Sequence, residues 1–218
     1  MTETASLDLA ALLCSRLCHD LLSPVGALNN GLELLADEKD PDMRQRCLDL
    51  LEQSARVSAD KLKFFRLAFG AAGGFGEMVS SDEPRELIAS LVGADDRLKL
   101  EWAVAEPKLA KPAVKVLLNL AAIGIDSLVR GGTLLVGAET RKGMTEIVIH
   151  ASGPKLAFDR SIGKALDGTL DPTELASRTA PAHMIRLLAE EKGGRVQYDI
   201  SPEALVMGAE LPAPDLIG

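Results

Sequence analysis

Between Leu7 and Leu35 an apolar residue returns every seventh position: Leu7, Cys14, Leu21, Leu28, Leu35. Ala11, Cys18, Val25 and Leu32 form a second row beside the first, and Ala10 and Leu17 a partial third. This repeat fits an α-helix with a wide apolar stripe of the bundle type. The stripe ends at Asp37-Glu-Lys-Asp40-Pro41, where Asp40 suits a helix N-cap and Pro41 a first turn. A second helix follows. Its seam runs through Leu48, Leu51, Ala55, Ser58, Leu62, Phe65 and Phe69 at alternating spacings of three and four. A connection of about four residues makes the two helices antiparallel. One hairpin cannot hide both stripes. Either two copies close a dimeric four-helix bundle, or the hairpin packs on the rest of its own chain.

The composition changes near residue 70. Gly70-Ala-Ala-Gly-Gly-Phe-Gly76 carries four glycines in seven positions, and Ser80-Ser-Asp-Glu-Pro84 follows it. Such a stretch reads as a linker, then turn and helix-start residues. The expected boundary is at about 72–83, between a helical hairpin over 1–75 and a second domain over 83–218. In that domain helices and strands alternate. Helices are expected over Glu83–Val92, Lys111–Arg130 and Pro181–Glu191. Strands are expected over Leu98–Val104, Thr133–Glu139, Thr145–His150, Arg195–Ile200 and Ala204–Leu211. Glycine pairs at 131–132 and 193–194 stop the last two helices, and Arg141-Lys-Gly143 turns one hairpin. The fold class is α+β, with the second domain an α/β sandwich of helices on one face of a mixed sheet.

Composition narrows the function. The formal net charge is -8 and the chain has one Trp, one Tyr and five Phe. Neither a basic footprint nor a stacking platform for nucleic acid is present. No run of about twenty apolar residues offers a membrane span, and Met1–Ala10 lacks the pattern of a signal peptide. Three cysteines, all before residue 50, make no disulfide framework. The expected location is the cytoplasm.

Of the three histidines, His150 ends an apolar strand and His183 lies in the last helix, both in structural settings. His19 differs. On a helical wheel it falls opposite the centre of the stripe and faces water. Ser15, Arg16, Leu22 and Ser23 lie three and four residues away, and Gly26 sits one turn beyond Leu22. An exposed neutral imidazole is a competent nucleophile, and Arg16 could hold a phosphate beside it. A merely solvated histidine on a polar helix face fits the wheel as well. A metal site does not, because Cys14 and Cys18 point into the seam and His19 points away from it.

The run His19-Asp20-Leu21-Leu22-Ser23-Pro24 resembles the H-box of two-component histidine kinases. It lies in the first arm of a hairpin, as in their dimerisation and phosphotransfer domain. The following domain resembles their ATP-binding domain with the nucleotide boxes lost. Asn119 matches the first Asn of the N-box, but Ile123 stands where the Mg²⁺-holding Asn belongs, and Ile has no oxygen to offer. In Ile149-His-Ala151-Ser152-Gly153-Pro154 the adenine-reading Asp is Ala151, and the second glycine is Lys155. Thr179-Ala-Pro-Ala182 replaces a glycine-rich phosphate loop, and Pro181 removes an amide.

The chain is most similar to the ChpT-type histidine phosphotransferases of the alphaproteobacterial cell-cycle phosphorelay. Leu17–Gly31, Lys61–Gly70 and the degenerate second domain carry the resemblance. It implies a homodimer that relays a phosphoryl group between receiver-domain aspartates through His19, without ATP-dependent kinase activity. It implies a hybrid kinase of the CckA type as donor and response regulators of the CtrA and CpdR types as acceptors. No cofactor or metal would be bound by this chain, since the receiver brings its own Mg²⁺. Asp20 would orient the imidazole or take its proton. Arg16, Leu22, Ser23 and Gly26 would form the docking face. Reflecting residue 19 through the loop centre adds Arg56, Lys61 and Lys63 from the opposing arm. Two other readings remain: an active kinase lacking its sensor, and a non-catalytic dimeric adaptor that sequesters receivers.

Overall fold

The computed structural model describes residues 3–70, 78–93 and 97–213. The chain divides into two compact units, Met1–Arg66 and Leu67–Gly218. The expected glycine linker lies largely outside the described residues. The described part of the 72–83 segment holds a short strand, β1 (Met78–Ser80).

The first unit is the helical hairpin. Helix α1 spans Glu3–Asp37 and α2 spans Pro41–Phe69, its last turn belonging to the second unit. The connection is three residues long, and its polar groups are used locally. Asp40 caps α2 as expected, its Oδ1 accepting from the N–H groups of Asp42 (2.9 Å) and Met43 (3.0 Å). Arg44 Nη1 donates to the carbonyls of Leu35 (3.1 Å) and Glu38 (2.8 Å), groups otherwise orphaned at the end of α1. Further along, a Cβ on Gly31 would stand 2.9 Å from Leu51 Cδ2, so the bare glycine lets the arms close together.

Within the hairpin, Leu9, Pro24 and Gly31 of α1 and Cys47 and Ser54 of α2 are buried. The heptad rows behave differently. Leu7, Cys14, Cys18, Val25 and Leu32 on α1, with Leu48 and Leu62 on α2, stay exposed in the single chain. One hairpin therefore leaves much of its apolar stripe uncovered.

The second unit is a two-layer sandwich. Helix α3 (Asp82–Val92) leads to β2 (Leu98–Val104), and the short β3 (Lys108–Ala110) pairs antiparallel with β1. Helix α4 (Lys111–Ser127), β4 (Gly132–Arg141) and β5 (Met144–Ser152) follow, then α5 (Arg160–Asp167), a 3-10 turn at Pro172–Glu174 and α6 (Ala180–Glu191). Strands β6 (Arg195–Ile200) and β7 (Ala204–Pro212) close the fold. The sheet order is β2-β4-β5-β7-β6, with only the β2–β4 pair parallel. Alternation puts Leu134, Val136, Ile147, Ile149, Leu205 and Met207 in the core, together with Leu117, Leu120 and Ile123 of α4. Gly124 brings α4 close to the sheet: a Cβ there would sit 2.7 Å from Leu134 Cδ1.

Helix α4 stops three residues before the expected end. Leu128 N–H turns back to the Ile125 carbonyl (3.0 Å), Gly131 adopts φ +81°, and Gly132 N–H then reaches the Arg97 carbonyl (2.9 Å).

Candidate functional site

The candidate site lies on the middle of α1. His19 is 84% exposed, as the wheel predicts for a residue opposite the stripe. Asp20 is only 19% exposed and carries two contacts. Its Oδ1 lies 3.1 Å from His19 Nδ1, and its Oδ2 accepts from Arg16 Nε at 2.7 Å. Helical spacing builds the second contact, since residues 16 and 20 stand one turn apart on one face. The carboxylate bridges a fixed guanidinium and an exposed ring. Holding Nδ1 in this way selects the tautomer with its proton there and leaves the Nε2 lone pair free toward solvent.

The opposing arm reaches the same point through Lys61. Its Nζ donates to the Asp20 main-chain carbonyl at 2.8 Å. The other expected cations pair along their own helix, Arg56 with Glu52 (2.8 Å) and Lys63 with Asp60 (3.4 Å). The structure thus gathers Arg16, His19, Asp20 and Lys61 into one cluster. Leu22 is 70% exposed one turn along, Ser23 is exposed beside it, and a Cβ on Gly26 would meet nothing within 4 Å. An apolar and open strip of helix adjoins the imidazole. Cys14 and Cys18 are exposed on the heptad face, and no group of three His, Cys, Asp or Glu among the described residues is placed to hold a metal ion.

Sequence reasoning missed how Lys61 is used. A signal was available: Pro24, four residues after Asp20, has no N–H to give to the Asp20 carbonyl, and Lys61 stands at about the same height on the other arm.

In the second unit, the residues at the positions compared above with nucleotide boxes are used in the fold itself. Asn119 is 2% exposed, and its Nδ2 donates to the carbonyls of Lys115 (2.8 Å) and Ala68 (3.4 Å). Ile123 and Ala151 are buried in the core. Pro181 occupies the first turn of α6, where the missing amide costs the helix nothing. Among the described residues, no helix is long and apolar enough to cross a membrane.

Comparison with known proteins gives a consistent picture. The family described as the histidine phosphotransferase C-terminal domain matches residues 81–204. The protein phosphotransferase ChpT of Brucella abortus (strain 2308) is 35% identical over 206 residues, which is 94% of this chain and 97% of the relative. A solved bacterial phosphotransferase is 33% identical, covers 96% of this chain and 97% of its own, and superposes with a TM-score of 0.80.

Proposed function

The chain belongs to the histidine phosphotransferase family, and on that premise we propose that His19 is the residue through which it passes the phosphoryl group. The protein is a phosphotransferase of phosphorelay signalling. The observation that carries the assignment is the pairing of His19 Nδ1 with Asp20 while the ring stands 84% exposed.

The reaction begins when a receiver domain docks on α1 with its aspartyl phosphate facing His19. The Nε2 lone pair attacks phosphorus in line. The Nε2–P bond forms as the acyl O–P bond breaks, and the receiver's aspartate leaves as a carboxylate. Attack by a neutral imidazole puts positive charge on the ring. The Nδ1 proton stays in its hydrogen bond to Asp20, whose carboxylate stabilises that charge. Transfer of this kind depends mostly on positioning and charge neutralisation, because the transition state is loose. A divalent cation carried by the receiver would neutralise the phosphoryl oxygens. Reversing the steps passes the group on to an acceptor receiver.

Leu22, Ser23 and Gly26 form the docking strip in this reading, with Arg16 at its edge. The uncovered heptad rows close in a homodimer. The donor is the receiver of a hybrid kinase of the CckA type, and the acceptors are response regulators of the CtrA and CpdR types, acting in the cytoplasm.

The test is transfer from a radiolabelled phosphorylated receiver to the wild-type protein and to His19→Ala. Label that is acid-labile and alkali-stable is expected on the wild type alone. Label on His19→Ala would assign the group to another residue, and label on neither would leave a sequestering adaptor.

A further inference from the structure

Pro24 sits inside α1, which runs through it without ending. A proline within a helix deletes the hydrogen bond to the carbonyl four residues back, and its ring crowds that carbonyl. Here the carbonyl belongs to Asp20, the residue that holds the His19 ring. A helical carbonyl stripped of its donor needs another partner. Lys61 provides one from the opposite arm at 2.8 Å. Asp20 is therefore tied at both ends: its carboxylate to Arg16 and His19, its main chain to Lys61.

We propose that Lys61 is a positioning residue for phosphotransfer, supplying the hydrogen bond that Pro24 deletes and so fixing Asp20 and the imidazole it orients. This rests on His19 being the phosphoacceptor. An exposed surface lysine would act on the receiver or the phosphate as a mobile point charge. A lysine committed to a carbonyl across the hairpin acts instead on the frame that carries the nucleophile. Its loss should lower the rate at saturating receiver and leave docking alone.

The experiment uses the full-length protein with a phosphorylated receiver as donor, measuring maximal transfer rate and half-saturating receiver concentration. Lys61→Met keeps the length of the side chain and removes the donor. It should lower the maximal rate by about tenfold to a hundredfold, the scale of a small misplacement of a reacting group, at nearly constant half-saturation. Lys61→Arg should recover most of the rate. The deciding variant is Lys61→Met combined with Pro24→Ala. Alanine restores the N–H at position 24, so the helix supplies its own bond to the Asp20 carbonyl and the rate should return. The His19 ring nitrogen resonances should move in Lys61→Met and move back in the double variant.

The proposal is overturned by an unchanged Lys61→Met, by a raised half-saturation at constant maximal rate, or by a folded double variant that stays slow. If Lys61→Met alone does not fold, the double variant decides: folding with transfer supports the proposal, and folding without transfer overturns it. His19→Ala in the same assay tests the underlying assignment separately. Transfer surviving there removes the assignment whatever Lys61 does.

Discussion

His19 and Leu22 stand one turn apart on the exposed side of α1, and their loss should be felt in different measurements. His19 is the phosphoacceptor in the proposed reaction, so replacing it should stop transfer and spare most receiver binding. Leu22 has no polar atom to contribute to chemistry. A carboxylate in its place would have to be desolvated under a docked receiver. Leu22→Asp should raise the half-saturating receiver concentration more than about tenfold, with the fold and the rate of the bound complex retained. Normal transfer by this variant at sub-saturating receiver would remove the strip from the site. A different titration belongs to His183 on α6. Burial, and then the neighbouring Arg186, hold its pKa below the ordinary imidazole value of 6.5, with Glu190 opposing them. The folded protein resists protonation there more than the unfolded chain does. Its contribution to stability is therefore complete above about pH 6.5 and is lost as the pH falls below that value. Denaturant unfolding at about pH 7.5 and pH 5.5 should show a loss on acidification that is smaller in His183→Gln. An equal loss in both proteins would mean that other groups set the slope.

The hairpin makes its prediction as a pair of elements. Leu32 lies on a heptad row and is 57% exposed in the single chain, so the hairpin does not need it for its own packing. A homodimer would bury it. Leu32→Asp should leave helicity unchanged and weaken the dimer at least about a hundredfold in dissociation constant, the consequence of placing a charge in an apolar seam. Sedimentation at micromolar protein would show the half-sized species. A wild-type dimer from this variant would move the seam elsewhere on the hairpin. The elements legible in the sequence were those with strong periodicity or explicit stops: α1, α2 with its Asp40 cap, β2 residue for residue, and the β4–β5 hairpin turning at Lys142 and Gly143, both at positive φ. Elements without such a signal escaped. Helix α5 has a glycine at its centre because a Cβ on Gly163 would strike the Tyr198 hydroxyl, and that glycine masks its helical pattern. Its caps were nevertheless readable, with Asp159 accepting from Ser161 N–H at 2.8 Å and Gly168 ending it at φ +79°. Strands β1 and β3 are three residues each, too short for alternation to show.

At the scale of the whole molecule, the site divides in the same way. His19, Asp20 and Leu22 follow from helix phase, which a sequence carries. Lys61 depends on where two helices meet 41 positions apart, which it carries only to within a turn. The second unit poses the larger question of nucleotide binding, because the sequence resembles a kinase ATP-binding domain with its boxes altered. A nucleotide site of this kind needs an exposed side-chain oxygen on α4, an acid at the end of β5 and bare amides before α6. Here Asn119 is buried with its Nδ2 donating to two carbonyls, Ile123 is core, Ala151 is fully buried, and Pro181 has no amide. Restoring one of these would not restore the others. Mg-ATP should therefore leave stability untouched. If the protein held the nucleotide with a dissociation constant of about 0.1 mM, then about 1 mM Mg-ATP would add roughly 1.4 kcal/mol. For a chain of this size that is a rise of about 3–6 °C in Tm, well within the reach of a thermal melt. The expected result is no rise, with phosphotransfer from a phosphorylated receiver proceeding equally with and without nucleotide. A reproducible rise with Mg-ATP, abolished when the metal is chelated, would restore a nucleotide site to this domain and with it the reading of the chain as a kinase.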